Sequence, residues 1–548
     1  MLRRDFLRLG AAVTAGAILP SAPRAADVAG AVGKRPNILI ILADDMGYSD
    51  PGYMGGEAHT PHLDQIAANG VVFGNCVNNC KCAPTRASLM TGLYNQRTDA
   101  VRGAGRNINE RDSSCLAEHL RDAGYATILS GKWHINPHPL QAGFQENYGS
   151  LMGAVYFKPK SKGKKTIKID HNGQTAEIPD DWFSTIAYTD HAIASTKKAI
   201  EAHKPFFLYL AYHAPHWPLQ ALEEDIAKYR GRYQAGTDAM RKERYERMAR
   251  LGIVDPATWK LPELEEGAPA WDTLNDEQKQ RMAEKLAVVA AMIDRMDNEI
   301  GRFLDFLKKE NVLDNTLIFF LSDNGASAEG GTFGKFDCPR SARIGSADSF
   351  VTVGTLAAVA LDTPLRKYKT TLYEGGKTTS LVVHWPGHAV KKEKYRHDLC
   401  HVLDIFPTCL EAAGCAYPQN YRGRMLHPLD GKSLVPALRG EAIGERTFCG
   451  NYKQHRSVLN SRWKMDGEVA TGGRKEKPWE LYDLSVDRSE TKNVASEHPD
   501  IVKELSAKWD AWNGDVRATE QYDEYVARKE GKKPKNKDNG NDKEEGDE

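Results

Sequence analysis

The run Asn37-Ile38-Leu39-Ile40-Ile41-Leu42 is apolar at every position after the asparagine, and two carboxylates, Asp44 and Asp45, follow almost at once. An unbroken Ile/Leu run of this length predicts a strand buried on both faces, the setting of a parallel sheet covered by helices. The pattern recurs at Tyr125-Ala126-Thr127-Ile128-Leu129, Pro205-Phe206-Phe207-Leu208-Tyr209-Leu210, Thr316-Leu317-Ile318-Phe319-Phe320-Leu321 and Ser380-Leu381-Val382-Val383-His384. Helical signals lie between these runs. Thr60-Pro61 reads as N-cap and first helical residue of a helix stopping at Gly70. The longest helix, about 275 to 309, repeats Met282, Leu286, Val289, Ile293, Met296, Ile300, Leu304 and Leu307 in steps of three and four. Alternating strands and helices define an α/β class, a mostly parallel sheet sandwiched by helices.

Ligands of such sheets bind beyond the carboxyl ends of the strands. Four strand ends here carry ionisable residues: Asp44-Asp45, Lys132 and His134, His213 and His216, and Asp323-Asn324. Carboxylates with an amide oxygen suit a hard cation, calcium or magnesium, rather than zinc. Lys132, Lys369 and Arg86 offer positive charge to an anionic group, and His134 and His216 are acid and base candidates. Cys82 opens a predicted helix within Cys82-Ala83-Pro84-Thr85-Arg86-Ala87-Ser88-Leu89-Met90-Thr91-Gly92, where the helix dipole favours negative charge. Taken singly, each has a bland alternative: a capping carboxylate, a surface cation, a structural histidine or a buried thiol. Four strand ends converging is a stronger signal than any one. A hard metal, several cations and two histidines around one nucleophile describe hydrolysis of a phosphate or sulfate ester.

At 548 residues the chain predicts a large domain, 33 to 440, and a smaller α+β domain at 441 to 520, with short antiparallel strands at Arg446-Thr447-Phe448-Cys449, Ser457-Val458-Leu459 and Glu480-Leu481-Tyr482-Asp483-Leu484. Residues 220 to 275 read as a charged surface excursion with helical pieces, 326 to 362 as loop, and 526 to 548 as a disordered charged tail. The balance of 74 Lys+Arg against 74 Asp+Glu argues against nucleic acid as a partner. Residues 1 to 26 read as a twin-arginine export signal: Arg3-Arg4-Asp5-Phe6-Leu7, an apolar stretch from Leu9 to Leu19, then small residues. A membrane anchor is the alternative. Export would make the twin-arginine translocase a partner and the location periplasmic or secreted. Setting Cys82 aside leaves an even number of the nine cysteines, which permits disulfides.

Cys82-x-Pro84-x-Arg86 followed by Thr91-Gly92 resembles the signature of the formylglycine-dependent type I sulfatases. Asp44-Asp45, Gly131-Lys132-Trp133-His134, Ala214-Pro215-His216-Trp217-Pro218, Ser322-Asp323-Asn324-Gly325 and Lys369 before Glu374-Gly375-Gly376 resemble further motifs of that family, in the same order. The resemblance, closest to bacterial arylsulfatases, implies an alkaline-phosphatase-like fold and oxidation of Cys82 to formylglycine. The converting enzyme would be a formylglycine-generating enzyme or a radical sulfatase-maturating enzyme. It implies that one hydroxyl of the hydrated aldehyde attacks sulfur, with Asp323 nearby. His134 then deprotonates the other hydroxyl to expel sulfate, and His216 protonates the leaving alcohol. Lys132, Lys369 and His216 would contact substrate, and Arg86 would steady the hydrate. Calcium, or less readily magnesium, would be held by Asp44, Asp45, Asp323, Asn324 and the modified Cys82. The substrate would be an aryl or carbohydrate sulfate; a phosphonate or phosphate monoester hydrolase of the same superfamily is the alternative. Lys377-Thr378-Thr379-Ser380 departs from the family pattern, with consequences expected for local packing and substrate contacts.

Overall fold

The structure is a computed structural model that describes residues 35–98, 108, 112–158, 167–264, 268–339, 341–390, 395–470 and 475–517. The twin-arginine segment and the charged tail lie outside the described residues. Eight strands organise the main sheet: β1 (Asn37–Asp44), β2 (Val71–Val77), β3 (Ala126–Gly131), β4 (Glu146–Ser150), β5 (Ile169–His171), β6 (Phe206–Pro215), β7 (Thr316–Ser322) and β8 (Thr378–His384). Their order across the sheet is β2-β8-β7-β1-β6-β3-β4-β5, with a few two-residue strands at the edges. β1 pairs parallel with β6 and β7, and β3 pairs parallel with β6 and β4. β8 runs antiparallel to β2 and β7.

The unbroken apolar run of β1 is explained by its surroundings. Leu39, Ile41 and Ala43 belong to one buried cluster, while Ile38, Ile40 and Leu42 belong to another on the opposite face. Alternate side chains of a strand point to opposite faces, so a strand covered on both sides must be apolar throughout. On one face lie α3 (Ser184–Glu201) and α5 (Asp276–Lys309); on the other lies α2 (Cys82–Thr91); α1 is Pro61–Asn69. Asn275 caps α5 by accepting from the Gln278 N–H, while the Gln278 side chain returns to the Asn275 N–H.

Two expectations require correction. The charged stretch after residue 220 is not simply a surface excursion. Its helix α4 (Gly236–Leu251) sinks Arg244 into the protein, where the guanidinium meets Asp50 at 2.7 Å and Glu57 at 2.8 Å. The insert is thereby clamped to the loop that follows Asp44-Asp45. The 326–362 stretch is not all loop either: it contains a short antiparallel pair, Phe336–Asp337 with Phe350–Val351, and the buried helix α6 (Thr355–Leu361).

The C-terminal part is a four-stranded antiparallel meander: β9 (Thr447–Tyr452), β10 (His455–Asn460), β11 (Trp463–Glu468) and β12 (Lys477–Asp483). Leu505 and Trp509 of helix α7 (Pro499–Val516) are buried in the core they share with Val458, Met465 and Leu481. This sheet belongs to the same compact unit as the main sheet. The junction is in part apolar, with Val77, Tyr94 and Leu403 in one cluster with Phe448, Leu459 and Tyr482, and in part ionic: Lys464 of β11 lies 3.2 Å from Glu374 and 2.6 Å from Glu490. All nine cysteines are free thiols. Among the described residues no helix is long and apolar enough to cross a membrane.

Candidate active site

At the carboxyl end of β1 the register with β6 slips. Leu42 lies opposite Ala211, but Asp44 lies opposite Pro215. The backbone then turns through Asp45 at φ +64°. Aspartate tolerates this left-handed conformation better than most residues. The irregularity frees Asp44 and Asp45 from strict alternation, and carboxylate oxygens of both reach one space. Ligand atoms of Asp44, Asp45, Cys82 and His216 all lie within 4.8 Å of one another, and all four residues are buried.

Asp45 is the hub. Its Oδ1 accepts from Asn324 Nδ2 at 2.7 Å and faces the Cys82 thiol at 3.7 Å. Its Oδ2 accepts from Lys369 Nζ at 2.8 Å and lies 3.5 Å from His216 Nε2. Asp44 accepts from Lys132 Nζ at 2.7 Å. Asp323 turns its Oδ2 to Arg86, which donates from Nε at 3.0 Å and Nη2 at 2.8 Å; its Oδ1 accepts the Asp45 N–H at 3.2 Å. Arg86 also donates to the Lys132 carbonyl at 2.8 Å. Nine of the eleven residues singled out in the sequence are joined by these contacts; His213, taken up below, is not among them. The other, His134, is buried at φ +62° just beyond β3, two residues from Lys132.

Two glycines allow this convergence. Gly131 has φ +117°, and a Cβ there would lie 1.9 Å from the Ala211 carbonyl oxygen. A Cβ on Gly325 would lie 1.8 Å from the Gly375 carbonyl oxygen, so the Asp323-Asn324 end and the Glu374-Gly375-Gly376 turn meet this closely only because residue 325 lacks a side chain.

Burial opposes charge on Asp44, but Lys132, His216 and Arg86 outweigh it and hold the carboxyl well below the usual range. Burial and the neighbouring Asp44 push Asp323 the other way, up to about 7. Burial, then Asp323, pushes the Cys82 thiol well up. That is the reverse of what a thiolate nucleophile requires. Cys82 is the first residue of α2, as expected, yet Arg86 serves Asp323 rather than the thiol. A chemically altered residue 82 fits this pocket better than a working thiol.

The donor set also passes the test for a hard cation. Asn324 Nδ2 is committed to Asp45 and to the Gly325 carbonyl, leaving its buried Oδ1 with no donor. Asp44 Oδ1 is likewise buried and accepts no hydrogen bond. Buried acceptors without donors are uncommon, and oxygens crowded beside further carboxylates suit a calcium-like ion.

His216 is held by its Nδ1 contact with the Trp217 carbonyl at 2.5 Å, and the Tyr156 hydroxyl lies 2.6 Å from the His216 carbonyl. Burial pushes His216 down. His213, a companion candidate, has Nδ1 3.0 Å from the Val155 carbonyl, and burial drives it down to about 3. Sequence reasoning missed Glu329. Its Oε1 lies 3.4 Å from Lys369 Nζ and 3.7 Å from Lys81 Nζ, and although burial opposes its charge these lysines pull it down to about 2. It sits in a glycine-rich loop without local signal; only the folded chain brings it to the site.

Comparison with known proteins points one way. A family described as sulfatase matches residues 36–415, and one described as N-sulphoglucosamine sulphohydrolase, C-terminal, matches 367–513. The chain is 32% identical to an uncharacterized sulfatase of Schizosaccharomyces pombe, over 91% of this chain and 97% of that one. It is 33% identical to an arylsulfatase of Klebsiella aerogenes, over 73% and 91%. The solved structure of Ps i-CgsB with k-i-k-neocarrahexaose is similar at a TM-score of 0.65 and 26% identity, covering 91% of this chain and 96% of that one. The phosphonate monoester hydrolase of Agrobacterium radiobacter shares the fold at a TM-score of 0.56 and 19% identity, covering 88% and 96%.

Proposed function

The chain belongs to the sulfatase family, and from that premise we propose that it cleaves carbohydrate or aryl sulfate monoesters through a formylglycine at position 82, with calcium in the adjoining oxygen pocket. The observation that carries this reading is Cys82 Sγ at 3.7 Å from Asp45 Oδ1, at the head of a buried helix, in a pocket that disfavours its thiolate. The sulfur stands in for the carbon-bound hydroxyls of the hydrated aldehyde. Asp44, Asp45, Asp323 and Asn324 would hold the metal, which would neutralise charge on sulfate oxygens and favour a deprotonated hydroxyl at residue 82.

The remaining residues have separable tasks. Lys132 and Lys369 each carry three donors, so each can keep its aspartate and still donate to a sulfate oxygen. Arg86 is spent on Asp323 and orients it. His216 presents Nε2 to the pocket and would give a proton to the leaving oxygen; Asp45 and Asp44 favour its charged form against burial. His134 would take the proton from the second hydroxyl of residue 82. A geminal diol can release sulfate by elimination, whereas an ester of an ordinary side chain would need attacking water.

A saccharide substrate is favoured over a simple aryl sulfate. Ps i-CgsB was solved with a neocarrahexaose, and relatives covering 78% of this chain are N-acetylgalactosamine-6-sulfatases. The Arg3-Arg4 segment supports action outside the cytoplasm, as a periplasmic or secreted enzyme. The test is a mass spectrum of the tryptic peptide containing residue 82, paired with turnover on sulfated sugars, aryl sulfate and aryl phosphonate. Formylglycine with dominant sulfate turnover supports the reading. An intact thiol in active enzyme, or dominant phosphonate turnover, overturns it.

A further inference from the structure

Glu146 opens β4, His171 closes β5 and His191 lies in α3, and none of them takes part in the candidate active site. One ligand atom from each lies within 4.8 Å of those from the other two. Glu146 Oε1 is 3.5 Å from His191 Nε2. The rings of His171 and His191 meet edge-on at 5.9 Å, and Tyr148 stacks on His191 at 5.2 Å, fixing its plane.

Hydrogen-bond accounting shows which imidazole nitrogen is available. The Ser130 hydroxyl donates to the Tyr188 carbonyl at 2.7 Å, so toward His191 Nδ1, 3.2 Å away, it can only accept. Nδ1 therefore carries a proton, which leaves Nε2 as the nitrogen that faces the Glu146 carboxylate. The Ser195 hydroxyl donates to Glu146 at 2.9 Å, the shorter of its two contacts, rather than to Nε2 at 3.2 Å. An imidazole nitrogen facing a carboxylate is bridged by a proton or by a metal cation, and a second histidine alongside favours the metal. A histidine whose far nitrogen donates to a fixed oxygen is also the usual arrangement of a metal ligand.

We propose that Glu146, His171 and His191 form a second metal site, for a zinc-class divalent cation, that ties the β4–β5 edge to α3. Two imidazoles and one carboxylate are a borderline donor set, unlike the all-oxygen pocket around Asp45, so the two sites select different metals. The fourth position is open to water. Lys198 Nζ now lies 3.2 Å from Glu146 Oε1, but its side chain is 68% exposed and free to swing into solvent.

The test uses the full chain, stripped with chelator, saturated with calcium to fill the hard site, then titrated with zinc chloride in a calorimeter. One zinc equivalent should bind. His171→Ala, at an exposed position that leaves folding intact, and His191→Gln should each weaken zinc by at least about tenfold to a hundredfold, with calcium-dependent turnover before zinc addition unchanged for His171→Ala. Zinc should also raise the melting temperature of the wild type but not of His171→Ala. Absence of zinc binding under calcium saturation, or equal zinc affinity in wild type and His171→Ala, overturns the proposal.

Discussion

Two buried charge clusters in this protein have nearly the same inventory. Around Asp45, the carboxylates Asp44, Asp45 and Asp323 are matched by Arg86, Lys132 and Lys369. At the junction with the C-terminal sheet, Glu374, Asp466 and Glu490 are matched by Lys377, Lys464 and Arg488. Each contains a carboxyl pushed far up, Asp323 to about 7 and Glu490 to about 8. Perturbed acidity alone therefore does not single out the functional cluster. Nor do buried acceptors without hydrogen bonds, since both Asp466 carboxylate oxygens lack one as Asn324 Oδ1 does; what separates the clusters is the kind of group each holds. The first cluster holds a thiol at a helix head and an amide oxygen, Asn324 Oδ1, that accepts nothing. In the second, one ammonium, Lys464, is shared by three carboxylates, and Lys377 reaches Ser457 at 3.4 Å. The second cluster is a fastening. The Lys377-Thr378-Thr379-Ser380 departure thus concerns packing, since Lys377 is turned into that fastening.

The sharpest way to break this contrast is to remove one residue from each cluster. Cys82→Ala should lower turnover by on the order of 10^4-fold or more, the scale of a lost nucleophile, while thermal unfolding stays close to wild type. Retained turnover would return Cys82 to a structural role. Lys464→Met should do the opposite. It leaves Glu374, Asp466 and Glu490 buried without their shared cation, a loss of about 3–5 kcal/mol in a denaturant titration. The folded fraction should keep its kcat. A Lys464→Met protein that is stable but inactive would mean the junction is catalytic after all.

Both clusters were unequally legible in the sequence, and the reason is physical. Asp44-Asp45, Lys132-x-His134 and Asp323-Asn324 stand directly after runs whose apolarity announces a doubly buried strand, so short-range pattern located them. The fastening hides its strand. In β11, Lys464, Asp466 and Glu468 alternate with Trp463, Met465 and Gly467, which reads as a solvent-facing edge or a turn; no strand was expected there, yet Lys464 and Asp466 are buried. Their solvent is the opposing charge of Glu374 and Glu490, residues distant in sequence. Arg244 went unread for the same cause, and helix α6 because seven residues behind a glycine carry too few turns to show a period.

A smaller effect sharpens the division within the active cluster. Lys369→Ala should reduce kcat/KM by about 10²–10³-fold, the scale of one lost electrostatic donor in a dry site. Its stability cost should fall when calcium is added, because the metal would take over part of the charge left on Asp45. Unchanged kcat/KM would confine Lys369 to pairing with Asp45.

Stability should also carry a pH slope that calcium divides between the clusters. Burial, with Asp466 and Glu374 adding to it and Lys464 opposing, raises Glu490 to about 8 in the folded state against an ordinary 4.5. The folded protein then keeps a proton that the unfolded chain has released, so this group favours folding below its ordinary value and loses that advantage as pH rises to about 8. Asp323, raised to about 7, contributes a loss of the same sign over a window ending lower. Urea midpoints measured from about pH 5 to about pH 8 should fall in the wild type and fall less in Glu490→Gln. Saturating calcium favours the charged form of Asp323 and should flatten only that share, leaving the Glu490 share intact. If calcium abolishes the whole slope, the proton resides in the metal pocket and the fastening is fully ionised. If Glu490→Gln abolishes it without calcium, Asp323 is already charged and Arg86 has won over burial.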